Sequence, residues 1–182
     1  IGQRGKGKTS LAKWLVRDCR RLVCLDPHYQ LRRQGVIYTD SAEVSAVEAV
    51  CEKMRDKVWR IVVRFDLQRE RLAAIFETAL AVGNCVVLID EIPYFAPTGT
   101  PAVLFSGLEK MIRQGRSRKV RLIGTAHRPQ DVNTLLVGES DFYLCRMFEP
   151  NAIQKLKGFY PGAEGLSELP DPYVLGGALH LT

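Results

Sequence analysis

The fold of this chain is decided near its start, by the stretch Gly2-Gln3-Arg4-Gly5-Lys6-Gly7-Lys8-Thr9, which occupies residues 2–9. The stretch fits the phosphate-binding loop pattern, in which a glycine is followed by four residues and then by Gly-Lys-Thr. Its glycines allow tight backbone turns and bring amide N–H groups close to phosphate oxygens. Lys8 supplies a positive charge that can reach the β- and γ-phosphates of a nucleotide, and the Thr9 hydroxyl is suited to bind Mg²⁺.

A helical pattern, Ser10-Leu11-Ala12-Lys13-Trp14-Leu15-Val16, follows the loop directly. A helix in this place turns its positive N-terminal end toward a bound anion. A glycine-rich turn that matches the pattern by chance is the alternative, but the helix that follows favours a nucleotide, and we expect ATP. The residues expected to contact it are those of the loop and the start of the helix: Gly2, Gln3, Arg4, Gly5, Lys6, Gly7, Lys8, Thr9 and Ser10.

The size and composition of the chain suit one globular domain. With 182 residues, of which 46% are hydrophobic and 25% charged, it is predicted to form a single domain over residues 1–182. A buried strand should run into the phosphate-binding loop, and only Ile1 precedes Gly2, so we expect this first strand to lie upstream of Ile1. No apolar run reaches the roughly 18 residues that a membrane span needs.

The cysteines and the net charge bear on location and partners. The five cysteines form no Cys-x-x-Cys pair and have no histidine at metal-binding spacing. This pattern indicates a reducing compartment, hence the cytoplasm, and no metal other than Mg²⁺. The formal net charge of +6 is compatible with a polyanionic partner.

Strand-like and helix-like segments alternate along the rest of the chain, which predicts an α/β fold with a doubly wound sheet. The most hydrophobic segment, Cys85–Ile89, is predicted as a strand covered on both faces, as in a parallel sheet. Trp14 and Trp59 lie on apolar patterns and are predicted to be in the core. Residues 93–101 are predicted as a loop, and residues 173–181 as a terminal hairpin.

Two acidic residues, Asp90 and Glu91, follow that apolar strand directly. At the carboxyl end of a strand, Asp90 is placed to hold Mg²⁺ together with Thr9, and Glu91 to polarise a water molecule aimed at the γ-phosphate. The alternatives are a turn or helix cap for Asp90 and a surface charge for Glu91. A carboxylate beside the metal ligand favours ATP hydrolysis over a kinase reaction, because small-molecule kinases use a substrate hydroxyl as the nucleophile.

A second polar strand end is found in the stretch Gly124-Thr125-Ala126-His127-Arg128-Pro129. It follows a predicted strand that should lie beside the strand carrying Asp90. Thr125 and His127 are the candidates for a residue that senses the γ-phosphate or orients the attacking water. A helix cap or a surface position is the alternative for His127.

Four segments together resemble the FtsK–HerA superfamily of ATPases: residues 2–9, the strand end Leu88-Ile89-Asp90-Glu91, residues 113–116 and the tip at 124–129. The resemblance implies a P-loop NTPase domain of the additional-strand, RecA-like class, with a mostly parallel sheet flanked by helices. Members are hexameric ring pumps that translocate double-stranded DNA, and they include viral genome-packaging ATPases, so a host cytoplasm or a virion is the expected location. HerA-like members usually carry glutamine where this chain has His127.

The resemblance further implies an arginine finger, which one subunit of a ring inserts into the site of its neighbour. Arg113 and Arg116 are the candidates, with Arg118 as a third; a solvated basic helix end is the alternative. The predicted catalytic residues are therefore Lys8, Glu91, His127, Arg113 and Arg116.

The cargo of such an ATPase stays open at this point. Zonula occludens toxin-like assembly ATPases of filamentous phages share a similar tip, which leaves open a virion-assembly or secretion ATPase that moves protein. Besides DNA and further copies of the chain, a viral capsid or a membrane-associated protein is an expected partner under the main interpretation. A monomeric nucleotide-dependent switch is a further alternative.

Overall fold

The computed structural model describes residues 1, 5–39, 46–64, 69–98, 106–138, 142–145, 150–158, 163, 165, 167–168 and 178–181. The chain forms two compact units. The sheet unit consists of Ala12–Asp90 and Leu104–Gly124, and the loop unit consists of Ile1–Leu11, Glu91–Val103 and Thr125–Thr182. The single domain over residues 1–182 stays a prediction.

The sheet unit is built on five parallel strands with the spatial order β2-β3-β1-β4-β5. The strands are β1 (Arg21–Leu25), β2 (Val36–Tyr38), β3 (Trp59–Val63), β4 (Cys85–Ile89) and β5 (Val120–Gly124). The pairing places Leu25 opposite Ile89, and Ile89 opposite Gly124, so β1, β4 and β5 end at the same edge of the sheet. The predicted α/β fold with a parallel sheet is confirmed.

Helices flank this sheet. They are α1 (Lys8–Leu15), which begins in the loop unit, α2 (Ala46–Lys53), α3 (Arg69–Val82) and α4 (Ser106–Gln114). Helix α3 packs between α2 and α4. The approach of α4 to α3 is close at Gly107, where a Cβ atom would lie 3.2 Å from the Cα atom of Ala73.

The hydrophobic core lies on both faces of the central strands. All five residues of β4 are buried, as its unbroken apolar run predicts. A cluster on one face joins α1 to the strands and contains Ala12, Val16, Leu22, Cys24, Leu31, Val62, Val86 and Leu88. At roughly 1.5–3 kcal/mol for each fully buried large aliphatic side chain, this burial is the main term that stabilises the unit.

The two tryptophans differ in their environments. Trp59 is 2% exposed, which confirms its predicted place in the core. The prediction for Trp14 is wrong, because its side chain is 58% exposed and packs under the Arg17 guanidinium at 4.2 Å from the ring centroid. Ala12 and Val16, four residues apart, form the buried face here. Trp14 lies midway between them in the sequence, so its side chain points to the opposite, exposed face.

A buried ion pair joins the ends of β1 and β3. Asp26 is fully buried, and its carboxylate accepts hydrogen bonds from the Arg64 guanidinium at 2.9 Å and from the backbone N–H groups of Gln30 and Leu31. Because these donors satisfy the carboxylate, the buried charge is tolerated. Removal of the arginine would leave the charge without its counter-ion.

The loop unit contains short elements. They are the 3-10 helices Ile92–Tyr94 and Pro129–Asp131, α5 (Thr134–Gly138), α6 (Pro150–Lys157) and the antiparallel strands β6 (Phe142–Cys145) and β7 (Ala178–Leu181). The prediction of a loop over residues 93–101 is wrong at its start, because Pro93 suits the first turn of a 3-10 helix. β7 pairs with β6, and residues 173–175, the other arm of the predicted hairpin, lie outside the described residues.

Asn133 begins α5 in this unit, since its side-chain oxygen accepts the N–H of Leu135 at 3.0 Å, as an N-cap residue does. Along the described ranges, none of the helices combines the length and the apolar content needed to cross a membrane.

Candidate active site

The phosphate-binding loop turns at two of its glycines. Gly5 and Gly7 have φ angles of 73° and 79°, in the left-handed region that favours glycine. A Cβ atom at Gly5 would meet nothing within 4 Å, so the backbone angle, and not a lack of space, requires glycine there. The Gly7 carbonyl accepts the N–H of Leu11 at 2.8 Å and leads the chain into α1. Gly2, Gln3 and Arg4 lie outside the described residues.

Three predicted catalytic side chains of the loop unit lie in one row. The Lys8 Nζ lies 2.9 Å from the Nδ1 of His127, and the His127 Nε2 lies 3.4 Å from the Oε1 of Glu91. Lys8 is 9% exposed, and the side chains of His127 and Glu91 are 41% and 21% exposed. The fold thus brings together Lys8 and His127, which are 119 positions apart in the sequence, and His127 and Glu91, which are 36 positions apart.

These contacts fix the tautomer of the imidazole. An ammonium can only donate, so the Nδ1 of His127 accepts the hydrogen bond from Lys8. In a neutral ring the proton then lies on Nε2, which faces the Glu91 carboxylate. Histidine can therefore connect a cation on one side with an anion on the other.

The backbone of Glu91 leaves the strand direction abruptly. Its φ and ψ angles are 63° and 62°, a left-handed conformation that is uncommon for a residue with a side chain. The N–H of Glu91 donates to the Thr125 hydroxyl at 2.8 Å, and the N–H of Ile92 donates to the Thr125 carbonyl at 2.8 Å. The carbonyl of Glu91 accepts the N–H of Tyr94 at 2.9 Å, which starts the 3-10 helix.

The residues expected to hold a metal ion have different exposures. Asp90 is 3% exposed at the end of β4, and its N–H donates to the carbonyl of Leu25 at 3.0 Å, which extends the ladder between β4 and β1 by one residue. Thr9 is half-buried and Ser10 is exposed in the first turn of α1. Lys6, the other described loop residue, is half-buried. Their contacts with nucleotide or metal stay predictions.

The candidate finger arginines lie at and after the end of α4, in the sheet unit. Arg113 pairs with Glu109 one turn earlier at 2.9 Å, and both side chains are largely exposed. Arg116 and Arg118 are exposed in the turn that follows. This is the exposure that a residue needs to reach a neighbouring subunit, and it is also that of a solvated helix end.

The contact between Thr125 and the Glu91 turn could not be predicted from sequence patterns. The Thr125 hydroxyl and carbonyl both accept N–H groups of the Glu91 turn. Its role in sensing the γ-phosphate or orienting the attacking water stays a prediction. The only sequence signal is a hydroxyl residue immediately after β5. Nothing in a Glu-Ile-Pro sequence indicates a positive φ angle, since glutamate has no preference for that region.

The sequence is similar to those of known ATPases. Residues 1–146 match the ATPase family associated with various cellular activities (AAA). The chain is 26% identical to the DNA packaging ATPase P9 of Enterobacteria phage PRD1 over 167 residues, which cover 88% of this chain and 68% of P9.

Solved structures with a similar fold include two viral packaging proteins. The genome packaging NTPase B204 of Sulfolobus turreted icosahedral virus 2, in complex with AMPPCP, has a TM-score of 0.73 and 16% identity over 100% of this chain and 94% of that chain. The DNA-packaging ATPase B204 of Sulfolobus Turreted Icosahedral Virus has a TM-score of 0.67 and 17% identity over the same shares. These likenesses confirm the P-loop NTPase fold.

Proposed function

This chain belongs to the ATPase family associated with various cellular activities (AAA), and we propose that it is a motor that hydrolyses ATP to move double-stranded DNA into a viral particle. The observation that carries the chemistry is the row from Lys8 through His127 to Glu91. It connects the phosphate-binding cation to the predicted base. DNA as the cargo is supported by the similarity to the packaging ATPase P9 and by the net charge of +6.

The phosphate-binding loop is proposed to hold the triphosphate of ATP. Gly5 and Gly7 already have the positive φ angles that turn amide N–H groups toward one side of a loop. Lys8 is mostly buried, which strengthens its attraction for phosphate oxygens relative to an exposed ammonium. The first turn of α1 adds further N–H donors at its N-terminal end.

Thr9 and Asp90 are proposed to hold Mg²⁺, on the strength of the sequence motifs. Their donor atoms fit this ion, because it binds hydroxyl and carboxylate oxygens and needs only one or two protein ligands besides phosphate and water. Asp90 is buried and its backbone is fixed to β1, so its carboxylate is confined to the end of the sheet. Mg²⁺ bound there would neutralise charge on the phosphates.

Glu91 is proposed to polarise the attacking water. His127 is proposed to sense the γ-phosphate and to change its contact with Glu91 when the γ-phosphate is bound. Phosphate oxygens compete strongly with a neutral imidazole for an ammonium, because they carry negative charge. A change in the partner of Lys8 therefore shifts the ring whose Nε2 faces the Glu91 carboxylate. In this arrangement the base is brought into its active position only when the triphosphate is bound.

A ring of identical subunits is proposed, a hexamer as the FtsK–HerA resemblance implies, with Arg113 or Arg116 inserted into the neighbouring site. The guanidinium would stabilise charge that develops on the γ-phosphate. Exposure at the end of α4 supports this role, and the Glu109 partner of Arg113 is exposed enough to be exchanged. A viral capsid or a membrane-associated protein is the proposed docking partner.

The ATPase chemistry is tested by Glu91→Gln, measured as steady-state phosphate release and as binding of a fluorescent ATP analogue. Turnover is expected to fall by about 100-fold or more with analogue affinity unchanged, as for loss of a general base. Glu77→Gln, on the exposed face of α3, is the matched control and should turn over like the wild type. Full turnover in Glu91→Gln would remove Glu91 from the mechanism.

The cargo is tested by stimulation of ATP turnover. Double-stranded DNA should raise turnover, and the stimulation should fall steeply between about 50 and 200 mM salt, because phosphate contacts release counterions. The absence of stimulation by any nucleic acid would favour the ATPase that moves protein. A monomeric mass with ATP bound would favour the nucleotide-dependent switch.

The finger is tested by mixing subunits. Arg113→Ala and Arg116→Ala should each assemble, and one of them should lose turnover without loss of ATP binding. Mixing that variant with Glu91→Gln should restore part of the turnover, because some interfaces then combine an intact glutamate with an intact arginine. Wild-type turnover in both arginine variants would exclude both residues.

A further inference from the structure

The backbone of the Glu91 turn is held by Thr125, the first residue after β5. We propose that Thr125 is a positioning residue for hydrolysis, which holds the backbone of Glu91 in the left-handed conformation that directs its carboxylate toward His127. The inference rests on the proposed function, in which Glu91 polarises the attacking water.

The first observation is the conformation itself. With φ at 63° and ψ at 62°, Glu91 occupies a region that residues with a Cβ atom avoid because Cβ approaches the following carbonyl oxygen. Such a residue persists only where its surroundings hold it in place, and strained residues of this kind cluster at functional sites. Something in the structure must therefore hold Glu91 there.

Thr125 holds the Glu91 backbone in this conformation. Thr125 accepts two consecutive N–H groups, that of Glu91 on its hydroxyl and that of Ile92 on its carbonyl, both at 2.8 Å. Thr125 is 5% exposed, so water is a poor substitute for either bond. With the Glu91 carbonyl bonded to Tyr94, both backbone polar groups of Glu91 are fixed.

The third observation relates this turn to the reacting side chain. His127, which faces the Glu91 carboxylate, is only two residues after Thr125. Residues 125–127 thus contact Glu91 twice, at its backbone N–H through Thr125 and at its carboxylate through His127. A displacement of residues 125–127 would move the backbone of Glu91 and the imidazole that faces its carboxylate together. Thr125 is therefore a determinant of turnover and not of nucleotide affinity.

The test compares Thr125→Val, which keeps the branched shape and loses the hydroxyl, with Thr125→Ser, which keeps the hydroxyl. Each variant is measured for kcat, for affinity to a non-hydrolysable ATP analogue and for Tm. Thr78→Val is the matched control, because the Thr78 hydroxyl donates to the Ala74 carbonyl at 2.8 Å within α3, in a half-buried position.

The expected result for Thr125→Val is a kcat lower by about tenfold, as for loss of one hydrogen bond that fixes a geometry, with analogue affinity within about twofold of wild type. Thr125→Ser should recover most of the loss, and Thr78→Val should leave kcat unchanged.

Two outcomes would overturn the inference alone, given an inactive Glu91→Gln. One is unchanged kcat in Thr125→Val. The other is a parallel fall of kcat, analogue affinity and Tm in the valine and serine variants, which would show a structural role only. If Glu91→Gln keeps full turnover, the proposed role of the glutamate fails and the inference about Thr125 fails with it. The turnover of Glu91→Gln therefore distinguishes a failure of the proposed function from a failure of the inference alone.

Discussion

The left-handed backbone at Glu91 predicts a stability effect whose sign is the reverse of the usual one. Glycine normally destabilises a site by about 0.5–1 kcal/mol relative to alanine, because it loses more backbone entropy on folding. At a left-handed position a Cβ atom costs about 1–2 kcal/mol that glycine does not incur. With φ at 63°, Glu91→Gly should therefore be more stable than Glu91→Ala, and the difference of these terms is about 0.5–1 kcal/mol.

The assay is reversible urea or thermal unfolding of the two variants. For a chain of this length the expected difference in Tm is about 1–4 °C in favour of glycine. Both variants lack the carboxylate, so neither should hydrolyse ATP, and the comparison isolates the backbone. Because the side chain is removed in both, its contact with His127 cancels from the difference.

A second pair at Glu77 gives the opposite sign. This residue lies within α3, where glycine is about 1 kcal/mol less favourable than alanine, so Glu77→Ala should be the more stable variant there. If alanine is also the more stable residue at position 91, the left-handed conformation is refuted. The positioning role of Thr125 would then lose its basis.

The remaining predictions concern the core and the loop unit. Arg64→Met should lower the free energy of unfolding by about 3 kcal/mol, because it leaves the buried Asp26 carboxylate unpaired, and adding Asp26→Asn should recover part of that loss in urea unfolding. Gly35→Ala should cost more than about 2 kcal/mol, because its Cβ would overlap the backbone carbonyl at the second residue of β3, whereas Gly165→Ala, with open space around it, should be neutral in the same assay. Burial raises the pKa of the Cys24 thiol from 9.0 to about 12, so the folded state holds this proton more tightly than the unfolded state. The stability that this difference contributes is fully present below pH 9 and is lost as the pH rises toward 12. At pH 10.5 the free energy of unfolding of the wild type should have fallen by about 2 kcal/mol more than that of Cys24→Ala, and equal losses would contradict the raised pKa.

The elements that sequence predicted correctly are those decided by local pattern. Cys85–Ile89 is apolar at every position, and such a run can be satisfied only by a strand covered on both faces, which the structure confirms. The glycines of the phosphate-binding loop are similar, because a residue without Cβ at Gly5 and Gly7 indicates left-handed backbone directly.

The features that sequence missed depend on contacts between distant segments. The pairing of β7 with β6 joins residues more than thirty positions apart, and no turn signal encodes it. The left-handed Glu91 is fixed by Thr125, which lies 34 positions away. Trp14 was misplaced for another reason, since an apolar residue in a helical pattern is compatible with either face when the helix is only two turns long.

The conformation of Glu91 separates this residue from the strand pattern that holds its neighbour Asp90. Successive residues of a strand point to opposite faces of the sheet, so a regular strand would direct Asp90 and Glu91 apart. Asp90 keeps the strand pairing through its bond to Leu25, and the reversal of φ at the next residue ends the alternation. The carboxylate that is proposed to bind the metal is thus held by the sheet, whereas the one proposed to polarise water is held by a turn that Thr125 fixes. The adjacent pair is a sequence motif, but its proposed use in hydrolysis rests on a contact with Thr125 that no local pattern encodes.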